Sequence, residues 1–352
     1  MKCCKNCFKD KEIIGFIYSN SSSKGKCDYC SSVDTELIDP RELEELFVPL
    51  VAIYQTTMEL KVKIEDEKLL HQKLQLDWKL FNLKEENHVG KLLKDILQGA
   101  IQSDDKIFSE PVEISVIHRN ATAATEHELK WEGFAEEIKS KNRFFLEETI
   151  DLRLLKELLR LLEKTYSVGK IFYRARISEK EALTIDELGK PPKEKSTPGR
   201  ANPKGISYLY VSADQKTTEY ESRCTYLDYI SVGTFKLKET LSVISLRNTD
   251  EISPFVLESN IENYVMHQKY LSRLEKELSI PIRKFDKELD YLPTQYLCEY
   301  VKSLGYDAIE YGSALHPGGI NLAIFNDDKI ECRSVDFYEV NSMDLHLTAI
   351  KV

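Results

Sequence analysis

Nowhere in the 352 residues does an apolar run approach the roughly 18 to 20 that a membrane-spanning helix needs. The start is polar and cysteine-rich rather than signal-like, so a cytoplasmic protein with no membrane partner is expected. An excess of positive charge is missing too. With 49 Lys and Arg against 59 Asp and Glu, the net charge of −10 argues against a chain whose main task is to coat nucleic acid or an anionic membrane. There is no Gly-x-Gly-x-x-Gly after a strand and no Walker sequence, which removes the usual Rossmann and P-loop routes to phosphate binding. Internal repeats and sustained heptads are also lacking. At 42% hydrophobic and 31% charged residues, what remains is a globular chain of two or three domains with a sizeable core.

Cysteine is distributed unevenly, with Cys3, Cys4, Cys7, Cys27 and Cys30 crowded at the start and Cys224, Cys298 and Cys332 isolated in later, mixed sequence. In a reducing compartment these do not form a disulfide framework. Cys4 and Cys7 make one Cys-x-x-Cys pair and Cys27 and Cys30 a second, with Gly15, Asn20, a serine run and Gly25 between them. That is the layout of a zinc ribbon. Four thiolates arranged tetrahedrally satisfy every coordination position of zinc, so a structural rather than catalytic metal is expected. Cys3 leaves the register open, since Cys3 or Cys4 could be the first ligand. The three later cysteines are expected to be buried, inert thiols.

The sequence predicts a helix start at Asp39-Pro40-Arg41-Glu42, with Asp39 capping and Pro40 in the first turn, where no amide donor is missed. Leu43, Leu46, Phe47, Leu50 and Tyr54, then Leu69, Leu70, Leu74, Leu76 and Trp78, recur at helical spacing, which predicts a long stretch kinked only at Pro49. Further helices are predicted around Val89 to Ile101, His127 to Ile138 and Leu152 to Leu162, giving a bundle of four or five before residue 170. His118, Arg119 and His127 are spaced too widely for the arginine–histidine pair of a helical nuclease and read as a solvated face.

From about Lys170 the pattern changes to short β-branched and aromatic runs: Ile171 to Arg174, Tyr208 to Val211, Ser231 to Leu237, Leu241 to Leu246 and Ile320 to Phe325. A segment from Leu188 to Pro203, holding four of the eleven prolines, predicts an exposed loop that could move over a pocket. Arg174 and Arg176, Gly199-Arg200, Tyr210, Glu219-Tyr220-Glu221 and Ser313 carry the chemistry around it. Arginines at strand edges beside glycine turns suit bidentate contact with a phosphate or pyrophosphate.

On these residues the second half, roughly 170 to 340, resembles the RES domain family, toxins of bacterial toxin–antitoxin modules. Its Gly-Arg-x-Asn-Pro-x-Gly element appears at Gly199 to Gly205, its tyrosine as Tyr210 and its glutamate as Glu221. Its serine, ahead of a Pro-Gly-Gly-x-Asn-Leu strand, appears as Ser313, and its helix start as Tyr291-Leu292-Pro293-Thr294-Gln295. The chain departs from the family at Ala201, where an aromatic residue often stands, and in a charged insertion from Glu179 to Lys195. The first half resembles the zinc-ribbon and helical extension sometimes fused ahead of such domains.

The resemblance implies an α+β chain: a ribbon over 1–38, a helical domain over 39–168 and a mixed α/β RES domain over 169–352, related in fold to ADP-ribosyltransferases. It implies NAD as substrate, cleaved at the nicotinamide–ribose bond with water or phosphate as acceptor, and an antitoxin partner. On that reading Glu221 stabilises the charge growing on the ribose, Arg174 and Arg200 hold the pyrophosphate, Tyr210 stacks on the nicotinamide or ribose, and Ser313 hydrogen-bonds the ribose or the amide. Two alternatives stay open: transfer of ADP-ribose to a protein, which the Glu219-x-Glu221 pair allows, and a partner-binding protein with a silent domain.

Overall fold

The computed structural model describes residues 1–21, 23–280 and 288–343. No helix among them is long and apolar enough to cross a membrane. The chain forms two compact units, residues 1–126 with 250–269, and residues 127–249 with 270 onward.

The first unit begins with β1 (Cys3–Cys4), α1 (Lys11–Asn20), β2 (Ser23–Gly25) and β3 (Thr35–Ile38), the strands forming an antiparallel sheet in the order β1-β3-β2. The chain between the two cysteine pairs is not all turn. Asp10 caps α1 by accepting the N–H groups of Glu12 and Ile13, and Ile13 and Ile17 are buried on one face. Then follow α2 (Glu44–Val51), β4 (Tyr54–Thr56), α3 (Thr57–Leu60), α4 (Leu70–Trp78), α5 (Glu86–Leu97), β5 (Val112–Ile114) and α6 (Ser115–Arg119). Asp39 caps as expected, with Glu42 completing a capping box, but the turn it opens is a tight 3-10 turn over Pro40–Leu43. The long helix predicted from Leu43 to Trp78 is broken. Tyr54–Thr56 pairs antiparallel with Val112–Ile114, a long-range pairing that overrides local periodicity, and Thr56 then caps a new helix with Glu59. Phe8, Phe47, Phe81 and Phe255 pack ring on ring in this unit, with centroids 5.1 to 6.5 Å apart.

Helices α7 (Ala121–Ser140) and α11 (Ile261–Ser279) contribute residues to both units. The second unit adds α8 (Leu152–Arg160), β6 (Glu163–Tyr166), β7 (Ile171–Ser178), α9 (Ile185–Leu188), β8 (Leu209–Ser212), α10 (Gln215–Ser222), β9 (Tyr229–Leu237) and β10 (Leu241–Leu246). It ends with α12 (Leu292–Ser303), β11 (Ala308–Gly312), β12 (Ile320–Ile324) and β13 (Ile330–Glu339). The eight strands form one mixed sheet, β13-β9-β7-β8-β12-β11-β10-β6, antiparallel except for β10 beside β11. Strand alternation sends Phe172, Leu209, Val211, Val243, Ala308, Leu322 and Ile324 into one apolar core. The five predicted strands are present. Between Leu188 and Pro203 the loop is exposed over Pro192–Lys195, but it is pinned at its ends, with Leu188 buried in the core and Ser207 Oγ donating to the Pro191 carbonyl at 2.6 Å. Of the three later cysteines only Cys298 is buried; Cys224 and Cys332 are partly exposed.

One irregularity positions the site. β7 and β8 share a single pairing, Tyr173 with Ser212, where an antiparallel ladder would continue to Arg174 and Ala175. The unmade bonds are replaced. The Ala175 N–H donates to Thr218 Oγ1 of α10 at 2.8 Å, and Arg174 Nη1 donates to the Tyr210 carbonyl at 2.8 Å. Helix α10, directly after β8, therefore fills the opening, with its hydroxyl doing what a strand would have done.

Candidate active site and cysteine cluster

The register of the sheet lines up the floor of the site. Tyr173 pairs with Ser212, Ser212 with Asn321, and Asn321 with Tyr311, a row across β7, β8, β12 and β11. Over this row α10 brings Glu221. Ser313 Oγ donates to Glu221 Oε1 at 2.6 Å and Asn321 Nδ2 donates to the same oxygen at 2.7 Å, while Asn321 Oδ1 accepts from Ser212 Oγ at 2.8 Å. The other oxygen, Oε2, has no partner among the described residues. Ser313 is itself held in place, because its Oγ accepts the N–H groups of Leu315 and His316 at 3.2 and 3.0 Å.

The glycine-rich element is organised around Asn202. Its Nδ2 lies within 3.3 Å of Ser196 Oγ and the carbonyls of Thr197, Pro203 and Ile206, and its Oδ1 accepts from the Tyr210 hydroxyl at 2.6 Å. Gly199 is required here, since a Cβ would stand 2.6 Å from Asn202 Oδ1 and 2.8 Å from the Tyr210 hydroxyl. From α12, Gln295 donates to the carbonyls of Gly199 and Asn202, and Thr294 to that of Arg200. Thus the Thr-Gln helix start serves to hold the arginine loop.

Three arginines are held by carbonyls rather than acids, and two of them, Arg174 and Arg176, are close enough for one charge to act on the other. Arg174, Arg176 and Arg200 donate to backbone carbonyls of Tyr210, Glu187 and Leu278, and among the described residues no carboxylate pairs with any of them. Arg174 Nε is buried and has no hydrogen-bond partner among the described residues. Burial, followed by the adjacent Arg176 charge, pushes Arg174 down to about 9, so it remains a cation at neutral pH. Burial raises the Tyr311 phenol, which lies within the fields of both Arg200 and Glu221, and raises Tyr210 well above its ordinary value. Arg200 and the oriented Glu221 carboxylate thus act on the same phenol from opposite signs of charge.

These contacts join Ser313 to Glu221, Arg174 to the Tyr210 carbonyl and the Arg200 loop to the Tyr210 hydroxyl through the Ala201 N–H, while among the described residues no hydrogen bond or ion pair links Arg174 or Arg200 to Glu221. They add Asn321, which is on a strand rather than in a turn, with Ser212 and Tyr311 beside it. Asn321 belongs to the Pro-Gly-Gly-x-Asn-Leu element, whereas the involvement of Ser212 and Tyr311 depends on strand register, which no motif displays. His118 instead faces Glu113, Nε2 to Oε2 3.9 Å, and His127 lies against the Tyr270 ring, centroids 6.2 Å apart.

The RES domain profile matches residues 171–347. The chain belongs to the RES domain family. The chain is also similar to one in the crystal structure of the M. tuberculosis MbcT–MbcA toxin–antitoxin complex, at 15% identity and a TM-score of 0.32, covering 53% of this chain and 94% of that one. No match was found among curated proteins.

Far from the RES motifs in sequence, Cys4, Cys7, Cys27 and Cys30 converge, their sulfur atoms all within 4.8 Å of one another. Cys4 Sγ lies 3.5 Å from Cys30 Sγ, and Cys7 Sγ 3.4 Å from Cys27 Sγ. A tetrahedral thiolate site with metal–sulfur bonds of about 2.3 Å has sulfur edges of about 3.8 Å, so the four residues fit a metal ion. Cys3 is buried outside the cluster: adjacent residues of β1 point to opposite faces, which resolves the register in favour of Cys4. The Tyr29 N–H reaches Cys27 Sγ at 3.4 Å and Cys30 lies 3.2 Å from Ser32 Oγ, contacts that orient ligands. The nearby Cys27 sulfur, ahead of burial, pushes the Cys4 thiol up, whereas Cys27, approached by Cys4 and Cys7, is held low. Four thiolates cannot coexist here without a cation.

Proposed function

We propose that the protein consumes NAD by breaking the nicotinamide–ribose bond, with water or phosphate as acceptor, as a cytoplasmic toxin or defence effector restrained by an antitoxin. The observation that carries this reading is the Glu221 carboxylate, with Oε1 fixed by two donors and Oε2 without a partner among the described residues. Cleavage releases neutral nicotinamide and leaves an oxocarbenium-like ribose, so positive charge grows at the sugar only as the bond breaks. A carboxylate oriented beforehand stabilises that charge without reorganising, and its other oxygen is available to a ribose hydroxyl.

The arginines supply the other half. A pyrophosphate provides the negative charge that Arg174 and Arg200 lack, and holding it fixes the scissile bond relative to Glu221. The Tyr210 hydroxyl is occupied by Asn202, so the ring rather than the hydroxyl is offered to the nicotinamide or ribose. Ser313 gives its only proton to Glu221 and acts through that carboxylate. At the far N-terminus, Cys4, Cys7, Cys27 and Cys30 hold a structural zinc that supplies folding energy and no step of the reaction.

One observation favours a second reading, transfer of ADP-ribose to protein: Glu219, on α10 two residues before Glu221, lines a cavity of about 860 Å³ with Tyr220, Arg223 and Leu315. Nicotinamide release by the purified full chain, with and without phosphate, tests the first reading. Glu221→Ala should slow release by about a hundredfold or more. Absence of nicotinamide release by the unaltered protein under both conditions would overturn it, and an ADP-ribose mass shift on a protein would favour the second.

A further inference from the structure

Glu221 is the seventh residue of the eight in α10, and Arg223 follows in the left-handed region with φ +52°. The last turn of a helix has carbonyls without intrahelical partners and carries the negative end of the peptide dipoles. A carboxylate there is neither stiffly held nor electrostatically favoured by its own helix, so its aim must be set from outside. His316, in the loop between β11 and β12, touches this helix in two ways. Its ring stacks on Tyr220, with centroids 5.1 Å apart and planes 3° from parallel, and its Nδ1 lies 2.9 Å from Thr217 Oγ1. Its backbone N–H meets Ser313 Oγ at 3.0 Å.

The proton positions follow from donor arithmetic. Thr217 has one hydroxyl proton, and Asp214 Oδ2 takes it at 2.6 Å. Thr217 Oγ1 must therefore accept from His316, which puts the imidazole proton on Nδ1. The ring donates through Nδ1 whether neutral or protonated, so the contact survives a change of charge. Gly319 makes the approach feasible: a Cβ there would lie 2.6 Å from Thr217 Oγ1. The chain Asp214–Thr217–His316 thus docks the Ser313 loop onto the helix that carries Glu221.

We infer that His316 is a positioning residue, clamping the Ser313 loop to α10 and thereby setting the Ser313–Glu221 hydrogen bond that aims the carboxylate. Its kinetic consequences rest on the NAD-cleaving reading proposed above; its structural ones do not. In the full-length protein, His316→Ala and His316→Gln should lower kcat for nicotinamide release about tenfold or more with KM for NAD within about twofold. His316→Asn, whose amide N–H stands where Nδ1–H does, should recover most of the loss. Thr217→Val combined with His316→Ala should be no slower than the worse single variant, because both break one contact. A raised KM with unchanged kcat, equal rescue by Gln and Asn, or additive losses would each overturn the clamp.

Long-range 1H–15N spectra judge it independently of turnover. The expected result is the Nδ1–H tautomer for His316 and a shifted Glu221 carboxylate carbon signal in His316→Ala; an Nε2–H tautomer or an unmoved Glu221 signal would overturn the inference. If the unaltered protein releases no nicotinamide, the functional reading fails while these spectra still decide the clamp.

Discussion

Ser313 and Glu221 stand 92 residues apart in the chain and share a 2.6 Å hydrogen bond, with Asn321 as the second donor to the same oxygen. Hydrogen bonds to an ionised group contribute about 1.5 to 3 kcal/mol each. If the pair fixes the carboxylate's aim, Ser313→Ala and Asn321→Ala should each slow nicotinamide release by about tenfold or more, Glu221→Gln by more still. Once Glu221 is removed, losing either donor should cost little further, since all three act through one group. Steady-state rates for the single and double variants check this, and a fully active Asn321→Ala would remove Asn321 from the site.

How much of this was legible in the sequence differs by element. Strands such as Leu241–Leu246 announce themselves through β-branched and apolar residues buried in the sheet, whereas the edge strand Glu163–Tyr166 is mostly charged and polar and is placed only by pairing with β10. The predicted helix through Tyr54 fails for the same reason: its pairing with Ile114 is 60 residues away and has no local signature. At the site, Arg200, Tyr210, Glu221 and Ser313 could be named because motif spacing carries them. Asn321 stands in the Pro-Gly-Gly-x-Asn-Leu element but its contact with Glu221 is not displayed there, and Ser212 and Tyr311 could not be named, because their neighbourhood is a product of the register between β8, β12 and β11.

Arg174 sets function against stability. Among the described residues its buried guanidinium has no acid and its Nε no hydrogen-bond partner. Leaving a buried polar group unsatisfied costs about 1 to 3 kcal/mol. Arg174→Met removes that cost but also the donor to the Tyr210 carbonyl, so the ligand-free protein should change in stability by less than that amount while NAD binding weakens about tenfold or more. The sign with pH follows from Arg174 being pushed down to about 9, below its ordinary value, by burial and Arg176. Between about pH 9 and 12.5 the unfolded chain binds this proton and the folded one does not, so stability rises with pH in that window; below it the cost is constant. The stability difference between Arg174→Met and the parent should accordingly be flat from pH 6 to 8 in denaturant titrations, and a difference that varies across that range would contradict the argument.

Gly199 and Gly205 lie six residues apart in the same element and should respond differently to alanine. At Gly199 the new methyl meets Asn202 Oδ1 at 2.6 Å and the Tyr210 hydroxyl at 2.8 Å, and Asn202 cannot yield because its amide is tied to the loop it braces. Overpacking of this kind costs about 1 to 3 kcal/mol and shifts Tyr210. Gly205 has open space but φ +83°, so Gly205→Ala carries only backbone strain of about 1 to 2 kcal/mol. Both should melt earlier than the parent protein; only Gly199→Ala should also raise KM for NAD.

The cysteine cluster separates a ligand from its neighbour. Cys4, Cys7, Cys27 and Cys30 bring four sulfur atoms within 4.8 Å, and Cys3, equally buried, is not among them. Metal analysis of the purified chain should find about one zinc. Cys27→Ser with Cys30→Ser should abolish it, because two remaining thiolates close no tetrahedron, and should loosen β1 to β3 as judged by amide exchange. Cys3→Ser should retain the metal while losing some stability, since a hydroxyl replaces a thiol in an apolar position. A chelator should reproduce the double variant in the parent protein. Because zinc here supplies folding energy and not chemistry, nicotinamide release should persist after metal removal for as long as the RES domain stays folded, and immediate loss of turnover with that domain intact would place the metal in the reaction after all.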